Sequence, residues 1–101
     1  MSPPEKKTVA LRYGEEDAVP RVLASGSGYL AERIEALARE HRIPVVKDSL
    51  LTDLLSHVEP GSHISTDAYR LVAELLAFLY RTDARFREAH GFIALAKQKE
   101  K

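Results

Sequence analysis

The chain has 101 residues, with 15 Lys+Arg against 15 Asp+Glu, and is 45% hydrophobic and 30% charged. That composition fits one globular domain with a modest core and excludes a disordered polar chain or a second domain. The lack of cysteine excludes a disulfide framework, a thiolate metal site and a Cys nucleophile, and it fits a reducing compartment.

Zero net charge argues against nonspecific nucleic-acid binding, and no apolar run approaches the ~20 residues that span a bilayer. The charge is uneven, however. Residues 1–80 carry nine basic and twelve acidic side chains, whereas residues 81–101 carry six and three. A mildly acidic body precedes a basic tail.

Met1–Lys7 is rich in Pro and Lys, lacks the apolar core of a secretory signal, and reads as a flexible lead-in. Thr8–Tyr13 alternates strand formers and is expected to be a strand. A polar turn follows at Gly14–Asp17. Val19–Ala24 is a second strand, with Pro20 at its start, and the short connection predicts antiparallel pairing. Tyr29–His41 is expected to be a helix whose buried face holds Leu30, Ile34, Leu37 and Ala38. Glu35 and Arg39 form an i, i+4 pair on its outer face. Ile43–Lys47 is a short buried strand, so strand, helix and strand predict a crossover between parallel strands.

Asp48 or Ser49 caps the next helix, Leu50–Val58, and Glu59-Pro60-Gly61 ends it. Its apolar face holds Leu50, Leu51, Leu54, Leu55 and Val58. Ser65 caps the strongest helix, Ala68–Tyr80, with Ile64 and Tyr69 at hydrophobic-staple positions. Most of its positions are apolar, which predicts broad burial. After Arg81 the pattern weakens. Phe86, Ala89, Ile93 and Ala96 suit one face of a helix interrupted at Gly91, and the end, Lys97–Lys101, is expected to be disordered.

Candidate chemistry is sparse. Gly26-Ser27-Gly28-Tyr29-Leu30-Ala31 matches G-x-G-x-x-A after a strand and before a helix, with Asp48 20 residues past Gly28. This is the context of a dinucleotide loop, in which amides hold pyrophosphate and the acid holds a ribose. The alternative is a tight turn that lets a helix pack closely on a sheet. His41, His57, His63 and His90 lack metal-ligand spacing. Ser25, Ser27 and Ser49 lack a nucleophile elbow. Glu15, Glu16 and Asp17 read as a solvated turn, so no residue is assigned a catalytic, cofactor or metal role.

Several blocks then agree on one resemblance. Val9–Tyr13, Ala18–Gly26, Leu30–Ile34, Ala38–Val46 and Tyr69–Tyr80 resemble the cytoplasmic C-terminal domain of FlhB/YscU-type proteins of flagellar and type III secretion export, in order and spacing. The resemblance covers about residues 8–80 and makes the Gly loop part of the family pattern. It implies a soluble, non-enzymatic protein-binding module without a cofactor. It further implies a cytoplasmic location at the membrane export gate, with export-apparatus proteins or secreted substrates as partners. Family members also carry an N-terminal transmembrane region and an Asn-Pro-Thr-His motif, where the chain cleaves itself at Asn. Here Pro3, Pro4, Glu5 and Lys6 stand at those four places. Cyclisation needs the Asn amide, which Pro3 lacks, so no self-cleavage is expected.

The expectation is a single α/β domain: a small mixed sheet of about three strands with three main helices. Residues 1–7 form the lead-in, 8–84 the FlhB C-terminal-like domain and 85–101 a basic extension. The strand that precedes the motif in the family is missing. Thr8, Val9, Leu11 and Tyr13 are therefore candidate partner-binding residues on an open sheet edge, unless the chain covers that edge itself. Phe86, Phe92 and Ile93 are candidates on the extension, either as a partner-binding helix or folded back on the domain. The function class that competes with protein binding is a small nucleotide-binding protein built on Gly26–Ala31.

Overall fold

Alternation along the first strand sets the layers of the molecule. The computed structural model describes residues 6–14 and 17–98. The lead-in through Glu5, the turn residues Glu15 and Glu16, and the last three residues lie outside the described residues. In chain order the elements are β1 (Lys7–Arg12), β2 (Arg21–Ser27), α1 (Tyr29–Glu40), β3 (Val45–Lys47), α2 (Ser49–Leu55), α3 (Thr66–Thr82), α4 (Ala84–Glu88) and β4 (Phe92–Lys97). They form one four-stranded mixed sheet in the order β2-β1-β4-β3.

β1 pairs antiparallel with β2 on one side and with β4 on the other, and β3 runs parallel to β4. It follows that β2 and β3 are parallel, as expected, with β1 and β4 between them. Ala10 pairs with Ala24 and Leu11 with Val22, which leaves Leu23 as the extra residue of a β-bulge.

Side chains of successive strand residues point to opposite faces. Val9, Leu11, Ile93 and Leu95 join Leu51, Leu55, Val72, Leu76 and Leu79 in the main core under α2 and α3. Ala94 and Ala96 alternate with these and are fully buried. They face α1, whose own buried Ala31 and Ala38 are equally small, so helix and sheet approach closely. Gly26 serves the same purpose, because a Cβ there would lie 2.5 Å from the Leu30 side chain.

The caps follow the sequence. Asp48 accepts the Leu51 amide at 3.0 Å and starts α2, and Ser65 accepts the Ala68 amide at 3.0 Å and starts α3.

Four expectations are corrected. The sheet has a fourth strand, and it comes from the stretch read as an extension. His90 and Gly91 take positive φ values of 55° and 87°, which ends the short α4, and Phe92–Lys97 then extends into the sheet. A Cβ on Gly91 would stand 2.2 Å from the Tyr13 carbonyl oxygen, so the turn requires glycine. The run Phe92–Ala96 is apolar throughout because this strand is buried on both faces. Lys97, expected in a disordered end, is paired with Lys7, and both ammonium groups hold Asp53, at 2.8 and 3.2 Å.

The second correction concerns β1, which is central. Its main chain is bonded on both sides, and Thr8, Val9 and Leu11 are at most 1% exposed, so they form no open edge. The third concerns α1. Leu30 and Leu37 are exposed, and the buried face runs through Ala31, Glu35 and Ala38. Glu35 is 4% exposed because Lys6 reaches over from the strand side and Arg39 Nη1 sits 3.1 Å away. The fourth concerns α3. Only Val72, Leu76 and Leu79 are buried, while Leu71, Phe78 and Tyr80 stand in solvent.

Candidate functional site

A cleft of about 840 Å³ opens where the end of β1 meets α3, α4 and the turn before β4. The sequence builds it from three places. β1 ends in Arg12 and Tyr13 and bends at Gly14. α3 presents Tyr69, Ala73, Leu76, Ala77 and Tyr80 at helical spacing, and α4 with its turn adds Phe86, Arg87 and His90. The Tyr13 amide donates to the Gly91 carbonyl at 2.9 Å, which ties the first wall to the last.

The inner wall is aromatic. The Tyr13 and Tyr69 rings lie 5.5 Å apart at 47°, and the Tyr69 hydroxyl donates to that of Tyr13 at 3.0 Å. That hydrogen bond holds the Tyr69 proton and, with some desolvation, raises its pKa above the usual tyrosine value. Two small residues, Ala73 and Ala77, line the cleft beside these rings.

The rim is cationic. Arg12 stacks over Phe92 at 5.5 Å, and Arg87 donates to the Tyr80 carbonyl. Among the described residues, Asp17 is the one carboxylate in the lining. The Gly14 amide donates to it at 3.2 Å, and His63 and Arg21 lie 3.6 and 3.9 Å away. The Gly14 bond is the largest influence on Asp17; it overcomes the desolvation that opposes it, and the carboxyl titrates below its ordinary range.

The residues marked from the sequence separate here. Tyr13 and Phe86 meet in this cleft. Ile93 and nearly all of Phe86 are core, Phe92 carries the Arg12 stack, and Thr8, Val9 and Leu11 are interior. Tyr80, Ala77, Arg81 and Arg87 were not marked. The signal on α3 is the i, i+4 and i+11 recurrence of Tyr69, Ala73 and Tyr80, which periodicity alone reads as core. Of the cleavage-motif positions only Lys6 is described, and it holds Glu35; Pro3, Pro4 and Glu5 lie outside the described residues.

The glycine loop is committed to packing. The Gly28 amide donates to the Lys6 carbonyl at 2.8 Å, the space above Gly26 holds Leu30, and Asp48 caps α2. The Gly28 amide and the acid thus already have partners within the fold. No group of three or more His, Cys, Asp or Glu side chains suited to a metal ion gathers among the described residues. No helix among them is long and apolar enough to cross a membrane.

These features define a small α/β domain whose distinctive surface is an aromatic cleft with an arginine rim. Residues 2–79 match the FlhB HrpN YscU SpaS Family, and the chain belongs to it. It is 42% identical over 92 residues to the flagellar biosynthetic protein FlhB of Yersinia enterocolitica, covering 89% of this chain but 24% of that protein. The uncharacterized protein YlqH of Bacillus subtilis is 37% identical over 81 residues, covering 79% of this chain and 87% of YlqH. Among solved structures, the EscU C-terminal domain with the H265A mutation superposes with a TM-score of 0.68 at 30% identity, covering 74% of this chain and 93% of that one. The PscU C-terminal domain superposes with a TM-score of 0.66 at 29% identity, covering 70% and 92%. The chain therefore corresponds to an FlhB-like C-terminal domain and spans about a quarter of the flagellar relative's length.

Proposed function

We propose that this chain is a non-cleaving, protein-binding counterpart of the FlhB C-terminal domain and acts in flagellar or type III export. Its partners are export-apparatus proteins or secreted substrates, and its place is the cytoplasmic side of the export gate. The observation that carries the reading is the aromatic cleft on a domain of this family. Tyrosine rings with one wet end suit a protein interface, because they offer large contact area at low entropic cost. The cleft volume of about 840 Å³ is enough for several side chains of a docked segment.

Titrating the purified chain with cytoplasmic export-apparatus proteins and secreted substrates, by calorimetry, tests this. Saturable binding that Ala77→Trp weakens at least tenfold is the expected result. Ala77 is exposed on the cleft floor, so the new ring fills the cleft without entering the core. Binding that the variant leaves intact places the partner elsewhere.

The sequence supports the proposed absence of self-cleavage. Pro3 stands at the Asn place and has no side-chain amide to attack its own carbonyl carbon. Intact mass after prolonged incubation should be that of the uncut chain. Two fragments split between Pro3 and Pro4 would end this part of the reading.

A further inference from the structure

The charge pattern of the cleft defines what fits in it. The rim draws its cations from both ends of the chain: Arg12 from β1, and Arg81 and Arg87 from the basic tail. Of the tail's three arginines, Arg85 turns away and binds Asp83 through a bidentate pair at 3.0 and 3.2 Å. The other two face the cleft. Arg87 places one nitrogen on the Tyr80 carbonyl, which holds its guanidinium at the rim. Among the described residues, the lining holds one acid, and its main partners are not these arginines. Asp17 is held by Gly14, Arg21 and His63, and Arg12 exerts the weakest pull on it.

The docking reading above leaves the chemistry of the docked segment open. Resting on that reading, we propose that the cleft selects an acidic peptide segment. Its carboxylates meet Arg12, Arg81 and Arg87, and its apolar side chains lie against Tyr13, Ala77 and Tyr80. Arginine suits this task, since its planar fork binds a carboxylate through two parallel hydrogen bonds. A basic segment places like charges against three guanidinium groups and is disfavoured. The basic tail is thereby given a role: Arg81 at the end of α3 and Arg87 on α4 both line the cleft.

Three synthetic peptides test this. They share a leucine–tyrosine core and differ only in flanks of glutamate, serine or lysine. Fluorescence anisotropy with the full chain in about 50 mM salt should show the glutamate peptide binding at least ~10-fold tighter than the lysine peptide. The serine peptide should fall between them. In about 1 M salt, where the Debye length falls to ~3 Å, the preference should shrink to about twofold. The variant Arg81→Glu/Arg87→Glu should reverse the order and favour the lysine peptide. Both positions are exposed, and an unchanged melting temperature shows that the variant is folded.

A serine peptide that binds as tightly as the glutamate peptide in low salt overturns the charge selectivity and leaves docking in the cleft standing. A preference that survives the double reversal moves the acidic contact to another surface and also overturns it. If none of the three peptides binds, the proposal fails, while the docking reading is judged separately by the Ala77→Trp titration with export proteins.

Discussion

Leu95→Ala tests whether the last strand is the keystone of the core. Leu95 is fully buried at the centre of β4, paired with Val9 on β1 and with Val46 on β3. Its side chain belongs to the core cluster between the sheet and the helices α2 and α3. Truncation removes three heavy atoms from a site closed on all sides, where little can collapse into the gap. Such substitutions cost about 3 kcal/mol, within a range of 2–5. For a domain of this size each kcal/mol lowers Tm by about 4–8 °C, so the loss is roughly 12–24 °C.

The control is Leu71→Ala on α3. Leu71 is 59% exposed, and its truncation should change stability by no more than ~0.5 kcal/mol. Urea unfolding followed by circular dichroism measures both. A Leu95→Ala variant within ~0.5 kcal/mol of the parent, or a Leu71→Ala variant that loses more, refutes the placement of the tail in the core.

Gly91→Ala should destabilise by about 2–4 kcal/mol in the same assay. It adds a Cβ at positive φ and 2.2 Å from the Tyr13 carbonyl oxygen. Lys6→Ala leaves Arg39 as the partner of a nearly inaccessible Glu35, and should cost about 2 kcal/mol at neutral pH. Burial alone pushes the Glu35 pKa up, but hydrogen bonds from Lys6 and Arg39 outweigh it and bring the value below its ordinary 4.5. Its stabilising effect is therefore complete above that pH and lost as pH falls through the lowered folded value. Accordingly, urea midpoints at pH 7 should separate parent and Lys6→Ala, and midpoints at pH 3 should draw together. Asp48→Ala removes the α2 cap and should cost about 1 kcal/mol, read from thermal melts.

The two caps, the β1–β2 pairing, the parallel relation of β2 and β3, and the three larger helices were all legible in the sequence. Each rests on contacts or patterns short in sequence: a side chain bonding three residues ahead, or an alternation over six residues. The fourth strand was not legible. Phe86, Ala89, Ile93 and Ala96 fit a helical stripe as well as Phe92–Ala96 fits a buried strand, and only the pairing partners, 80 or more residues away in β1, decide between them.

The buried face of α1 escaped for a related reason. A glutamate reads as solvent-facing until Lys6, 29 residues upstream, is seen to neutralise it. The cleft was half legible. Tyr13 and Phe86 are candidates in the sequence, but as a residue of a sheet edge and of a helix that either binds a partner or folds back on the domain. Their actual meeting depends on the Gly91 turn, whose backbone shape hydrophobic patterning does not record.

The proposed docking site for export proteins is the cleft between Tyr13 and Tyr80. The most direct measurement is an amide-resolved NMR titration of the labelled chain with an unlabelled export-apparatus protein or secreted substrate. Docking there should give saturable shifts grouped at Tyr13, Gly14, Tyr69, Ala77, Tyr80 and Arg87, with β3 and the outer face of α1 unmoved. Saturable shifts confined to β3 or α1, with the cleft silent, would contradict it.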